Sequence, residues 1–121
     1  MTTSVPATTF QNIQVWVKPK ENKPGHYDVV TDPINPKITN PDTVINYQIV
    51  DTGGYEIVFT GMSVKPNDNN QLSEASVSID GKLLTFSDAN TVKMALAITL
   101  KFKDKDKVEF SHDPQIENDP E

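Results

Sequence analysis

The sequence contains no arginine; all 11 of its basic residues are lysine. Arginine is the side chain that grips phosphate or carboxylate at two points at once, and it is the commonest reader of guanine edges. With a net charge of −6 and a pI near 4.8, its absence argues against nucleic acid as a partner. An anionic membrane surface is argued against on the same ground. Cysteine is also absent. That removes disulfides, thiolate catalysis and sulfur-ligated metal centres, and it fits a cytoplasmic setting. No apolar run approaches the ~20 residues that span a bilayer. The opening "MTTSVPATTFQNIQVW" has neither a basic nor an apolar leader region. Phosphate-binding glycine loops are missing, because "TGGY" (Thr52–Tyr55) lacks Walker or dinucleotide spacing and reads as a strand-joining turn. No motif implies a cofactor.

What is there is alternation. The chain has 121 residues, 36% hydrophobic and 23% charged, which suits one thin two-layer domain. "NIQVWV" places Ile13, Val15 and Val17 on one face. "TVINYQIV" gives Ile45, Tyr47 and Ile49, and "YEIVF" gives Tyr55, Ile57 and Phe59. "SVSIDGKLLTF" reads as a hairpin, with Val77 and Ile79 entering, Asp80-Gly81 turning, and Leu84 and Phe86 returning. The clearest strand is "TVKMALAITLKF". Val92, Met94, Leu96, Ile98, Leu100 and Phe102 share one face, which a helix would scatter around its circumference. This is expected to be the central strand. "KDKDK" turns it into a last hairpin with Val108 and Phe110.

About eight short strands with turn signals between them, and no helix, predict an all-β fold. The expected form is a two-sheet antiparallel sandwich, immunoglobulin-like, with a small closed barrel as the runner-up. Residues 1–121 form one domain, with fraying expected at 1–9 and 119–121.

Ser111-His112-Asp113 invites a hydrolase reading. Neighbours on an extended chain point to opposite faces, however, and a catalytic array must converge. No catalytic residue is assigned. Oxygen-rich loops such as "NDNNQ" and "KDKDK" do not meet the calcium-loop pattern, and no metal site is assigned. Trp16 falls opposite Ile13, Val15 and Val17, and an outward tryptophan could stack on a sugar or anchor a partner. A covering loop or a bulge is the favoured account, because a lone exposed apolar residue needs no explanation.

The chain ends "FSHDPQIENDPE". Four of the last ten residues are acidic, the pattern of a solvated tail. Ile116 does not fit that pattern, and two Asp-Pro steps stiffen the segment. Asp113–Asn118 is therefore expected to be an ordered, extended closing segment anchored by Ile116. "DPQIENDPE", directly after a lysine-rich hairpin, resembles the ending of the small bacterial proteins of the DP-EP family. AidA-like inclusion-body proteins end comparably, with a D-P-x-I-x-N pattern that Asp113, Pro114, Ile116 and Asn118 match. The resemblance implies a sandwich-like β domain with no established activity. Binding residues, if the protein binds, are sought at Trp16, His112, Asp113, Ile116 and Asn118. The functional expectation is a non-catalytic binding or assembly module, with a homo-oligomer through sheet edges as its partner state. The alternative is small-ligand or carbohydrate binding through loops and Trp16.

Overall fold

The computed structural model describes residues 8–120, and the fold is all-β. Ten strands follow one another: β1 (Phe10–Pro19), β2 (Tyr27–Asp32), β3 (Lys37–Ile38), β4 (Thr43–Asp51), β5 (Val58–Lys65), β6 (Ser76–Val77), β7 (Leu83–Asp88), β8 (Met94–Lys103), β9 (Glu109–His112) and β10 (Gln115–Asn118). One sheet has the order β2-β1-β4-β7-β6; the other has β3-β10-β8-β5, with β9 also paired to β8. The arrangement is an open sandwich and not a closed barrel.

Alternation builds the core. Val15, Val17, Ile45, Tyr47 and Leu84 project from the first sheet, and Leu96, Ile98, Leu100, Phe102 and Ile116 from the second. All ten are completely buried. Each contributes roughly 1.5–3 kcal/mol relative to exposure, which holds the two inner faces together. As the pattern of β8 demands, the strand is internal, with β5 on one side and β9 and β10 on the other.

Both sheets are mixed rather than purely antiparallel. β1 runs parallel to β4, and β3 runs parallel to β10. After β1 the chain returns as β2, crosses to the opposite sheet as β3, and comes back beside β1 as β4. Period-two patterning states which side chains face inward; it does not state which neighbour a strand takes.

Several apolar residues expected inside lie outside; Val77, in the two-residue edge strand β6, is one. Val92 precedes β8 and is exposed. Ile79 is fully exposed because the β6–β7 turn is wider than two residues. Ser78 N–H donates to the Leu83 carbonyl and Gly81 N–H to the Ser78 carbonyl, both at 2.9 Å, which puts Ile79 within the turn. Tyr55 precedes β5 and is half exposed.

The closing segment is ordered as expected. Leu100 faces His112 and Ala97 faces Gln115, so β9 and β10 share one register along β8 across the Asp113-Pro114 break. Ile98 N–H donates to the Pro114 carbonyl at 2.9 Å inside that break. On the other side, Glu117 N–H donates to the Pro36 carbonyl (3.0 Å) and Asp119 N–H to that of Ile38 (2.8 Å). The Asp119 carboxylate lies 3.0 Å from the Lys37 ammonium and 3.6 Å from that of Lys93. The pinned segment therefore runs through Asp119. At the other end, the Thr9 carbonyl accepts the Val44 N–H at 2.8 Å. Of the residues expected to fray, 1–7 and 121 lie outside the described residues.

Candidate binding cleft

Three loops meet at one end of the sandwich: β1–β2, β4–β5 and β8–β9. They enclose a cleft of about 620 Å³. That is within the size range of small-molecule sites. Each loop is fixed by its own hydrogen bonds. In the first, Lys20 N–H donates to the His26 carbonyl at 2.8 Å and His26 N–H to the Lys23 carbonyl at 3.0 Å. In the second, Asp51 Oδ1 accepts the Gly53 N–H at 2.8 Å, and the Thr52 hydroxyl donates to the Tyr55 carbonyl. In the third, Asp104 Oδ1 accepts the N–H groups of Asp106 and Val108, both at 2.9 Å.

Tyr27 joins the loops to the core. Its hydroxyl donates to Asp104 Oδ2 at 2.7 Å. Its ring stacks on Phe110 with centroids 4.5 Å apart, and Phe110 stacks on Phe102 at 5.1 Å. Tyr55 stands edge-on to Tyr27, at 6.3 Å and 78°; it is half exposed and lines the cleft. Burial, then the bond to Asp104, pushes the Tyr27 phenol up to about 12. The same bond holds the Asp104 carboxyl below the usual carboxylate range, against the opposing pull of burial.

The residues singled out from sequence lie elsewhere. Trp16 is half buried in β1, opposite Val30 of β2, just past a bulge at Val15–Trp16. His112 is half buried at the end of β9; burial lowers its pKa and the Asp113 charge opposes that. Asp113 Oδ1 accepts the Thr99 hydroxyl at 2.9 Å, and no hydrogen bond links Ser111, His112 and Asp113 among the described residues. Ile116 is completely buried, which meets the expectation for an anchor. Asn118 is completely buried too, in a polar node. Its Nδ2 donates to Asp88 Oδ1 at 3.1 Å and to Gln71 Oε1 at 3.4 Å.

Ile116 and Asn118 thus share the closing strand, while Trp16 stands apart and none of the five lines the cleft. Sequence reading missed Tyr27, Tyr55 and Asp104 as a group. The available signal was that "HYDVV", "GGYE" and "KDKDK" each place an aromatic or acidic residue beside a turn. Among the described residues, no group of three His, Cys, Asp or Glu side chains is placed to hold a metal ion. No helix there is long and apolar enough to cross a membrane.

A family model, the DP-EP family, matches residues 11–120. The chain belongs to the DP-EP family. The match spans β1 to just past β10, so all three cleft loops and the closing segment of this DP-EP domain fall within it. DP-EP domains are small and of uncharacterised function. A search of curated proteins gave no match.

Proposed function

We propose that this DP-EP domain works by binding a small molecule in the loop-end cleft, and not by catalysis. The observation that carries this reading is the half-open Tyr55 ring standing edge-on to Tyr27, over loops that are already hydrogen-bonded in place. Preformed loops lower the ordering cost of binding. A concave wall with aromatic rings and a few polar groups is the usual make-up of such a site. Amide-shift mapping of the labelled protein against a fragment library tests it. Shifts grouped at residues 20–27, 52–56 and 104–108, and lost in Tyr55→Ala, are expected. Hits that instead gather around Trp16 or His112 overturn the reading.

A second reading, homo-oligomer assembly, is favoured by β9, whose outer edge meets no strand among the described residues. Unpaired edges are templates for pairing with another copy. The six-residue β2 is a second such edge, on the other sheet. The remaining edges are less inviting, since β3 and β6 have two residues each and β5 carries a bulge between Phe59 and Gly61. Sedimentation over a concentration range tests assembly; a monomer at every concentration rules it out. The cysteine-free composition supports a cytoplasmic setting, which cell fractionation checks.

A further inference from the structure

We infer that the ligand class of the loop-end cleft is a neutral saccharide, a claim that rests on the cleft being the binding site. Three observations lead there. The first is the open ring of Tyr55. Pro19, Pro24 and Val108 extend its apolar wall, and Gly25 lies close against Val108, where an added Cβ would sit 3.5 Å from Cγ1. The apolar C–H face of a sugar ring fits such a wall.

The second is charge. Lys20, Lys23 and Lys105 share the rim with Glu21, Glu56 and Asp106. Lys20 also reaches Asp28 at 3.5 Å, outside the cleft. Asp104, the remaining acid, already accepts from Tyr27, Asp106 and Val108. With Asp104 counted, three lysines face four carboxylates, so the lining is slightly negative and disfavours an anion, while the three lysines among the acids oppose a cation.

The third is donor and acceptor balance. Ammonium groups only donate and carboxylates only accept, so both kinds need a partner when a ligand displaces water. Hydroxyls do both. A proline-rich peptide would also suit the aromatic wall. It offers mainly carbonyl acceptors, because proline has no N–H, and the rim carboxylates would go unanswered.

The test is amide-shift titration of the full chain with maltose, cellobiose, lactose and chitobiose, and with glucuronate, glucosamine and a proline-rich decapeptide. At least one neutral disaccharide is expected to give saturable shifts in the three cleft loops, little changed by added salt. Tyr55→Ala should weaken that binding by about tenfold or more, roughly one hot-spot contact. Trp16→Phe should leave it unchanged. If the peptide or only the charged sugars bind in the cleft, the saccharide inference falls and the cleft reading stands. If no neutral sugar in the panel shifts any loop, the inference also falls. Sugar shifts confined to the Trp16 face overturn both.

Discussion

Asn118 donates through Nδ2 to Asp88 Oδ1 across 3.1 Å, with both side chains wholly buried. The pair joins β10 of one sheet to the end of β7 in the other. Asp88 Oδ1 also accepts the Asn90 N–H at 3.0 Å, and Asn90 Nδ2 donates to the Ile38 and Asn40 carbonyls. The closing strand is thus tied by polar contacts as well as by its apolar anchor.

Removing the amide should show in stability. Asn118→Ala deprives Asp88 of one of its two N–H donors in a buried place, a loss of ~1–3 kcal/mol. Asn118→Asp should cost more at neutral pH, because it sets a second carboxylate beside the first without water. In acid the two variants should converge as the carboxyls protonate. Urea unfolding at neutral and acid pH gives the order. An Asn118→Asp variant as stable as wild type at neutral pH would rule out the buried pairing.

Asp88 gives a pH prediction. Burial raises its pKa above 3.8, while the bonds from Asn118 and the Asn90 N–H oppose the shift. With the folded value above the unfolded one, the unfolded chain releases the proton first as pH rises. Asp88 therefore lowers stability from about the unfolded carboxylate value upward, until its folded pKa is passed. Asp119 and Asp104 act in the opposite sense. Their lowered pKa values contribute stability above the ordinary range and lose it in acid. The Asp88 contribution is isolated by the difference between wild type and Asp88→Asn, which keeps an oxygen for both donors. Asp88→Asn should be the more stable at neutral pH, and the gap should close as pH falls. A gap that does not change with pH refutes this assignment.

The apolar anchor is separable from the node. Ile116 has no exposure and belongs to the continuous core, so Ile116→Ala should cost about 2–5 kcal/mol. Val92 continues the sequence alternation of β8 yet is exposed, and Val92→Ala should stay within ~0.5 kcal/mol. Chemical denaturation of both variants separates a buried closing segment from a tail, which would leave the two substitutions alike.

That contrast marks how far the sequence could be read. Alternation located the faces of β1, β4 and β8, because the 2.0 period is imposed by the pleat itself. It failed at strand ends. Val92, Ile79 and Tyr55 continue the pattern on paper, but the ladders stop before reaching them, and turn geometry decides where they stop. The parallel pairings were also illegible, since neighbours are chosen by crossovers between distant segments. The Ile116 anchor was legible because an apolar residue within an acidic run needs a reason. The cleft was not. Tyr27, Tyr55 and Asp104 come from three loops far apart in sequence, and only the fold brings them together.

Gly81 tests the junction between the sheets at the β6–β7 turn. Its φ is +75°, and a Cβ there would lie 2.5 Å from Val58 Cβ. Its carbonyl accepts the Phe59 N–H at 2.8 Å, so the turn of one sheet is bonded to the edge strand of the other. Gly81→Ala therefore meets two penalties: left-handed backbone strain and a clash with β5. It should destabilise by more than the ~1 kcal/mol expected from the strain alone. Gly53 separates the two. Its φ is +64°, and an added Cβ meets nothing within 4 Å, so Gly53→Ala should show the strain by itself. Adding Val58→Gly to Gly81→Ala removes the clashing side chain. Relative to Val58→Gly alone, the Gly81→Ala cost should then fall to about the Gly53→Ala value. Equal costs for the two single alanine variants, measured by urea midpoint, would mean that the turn does not press on β5.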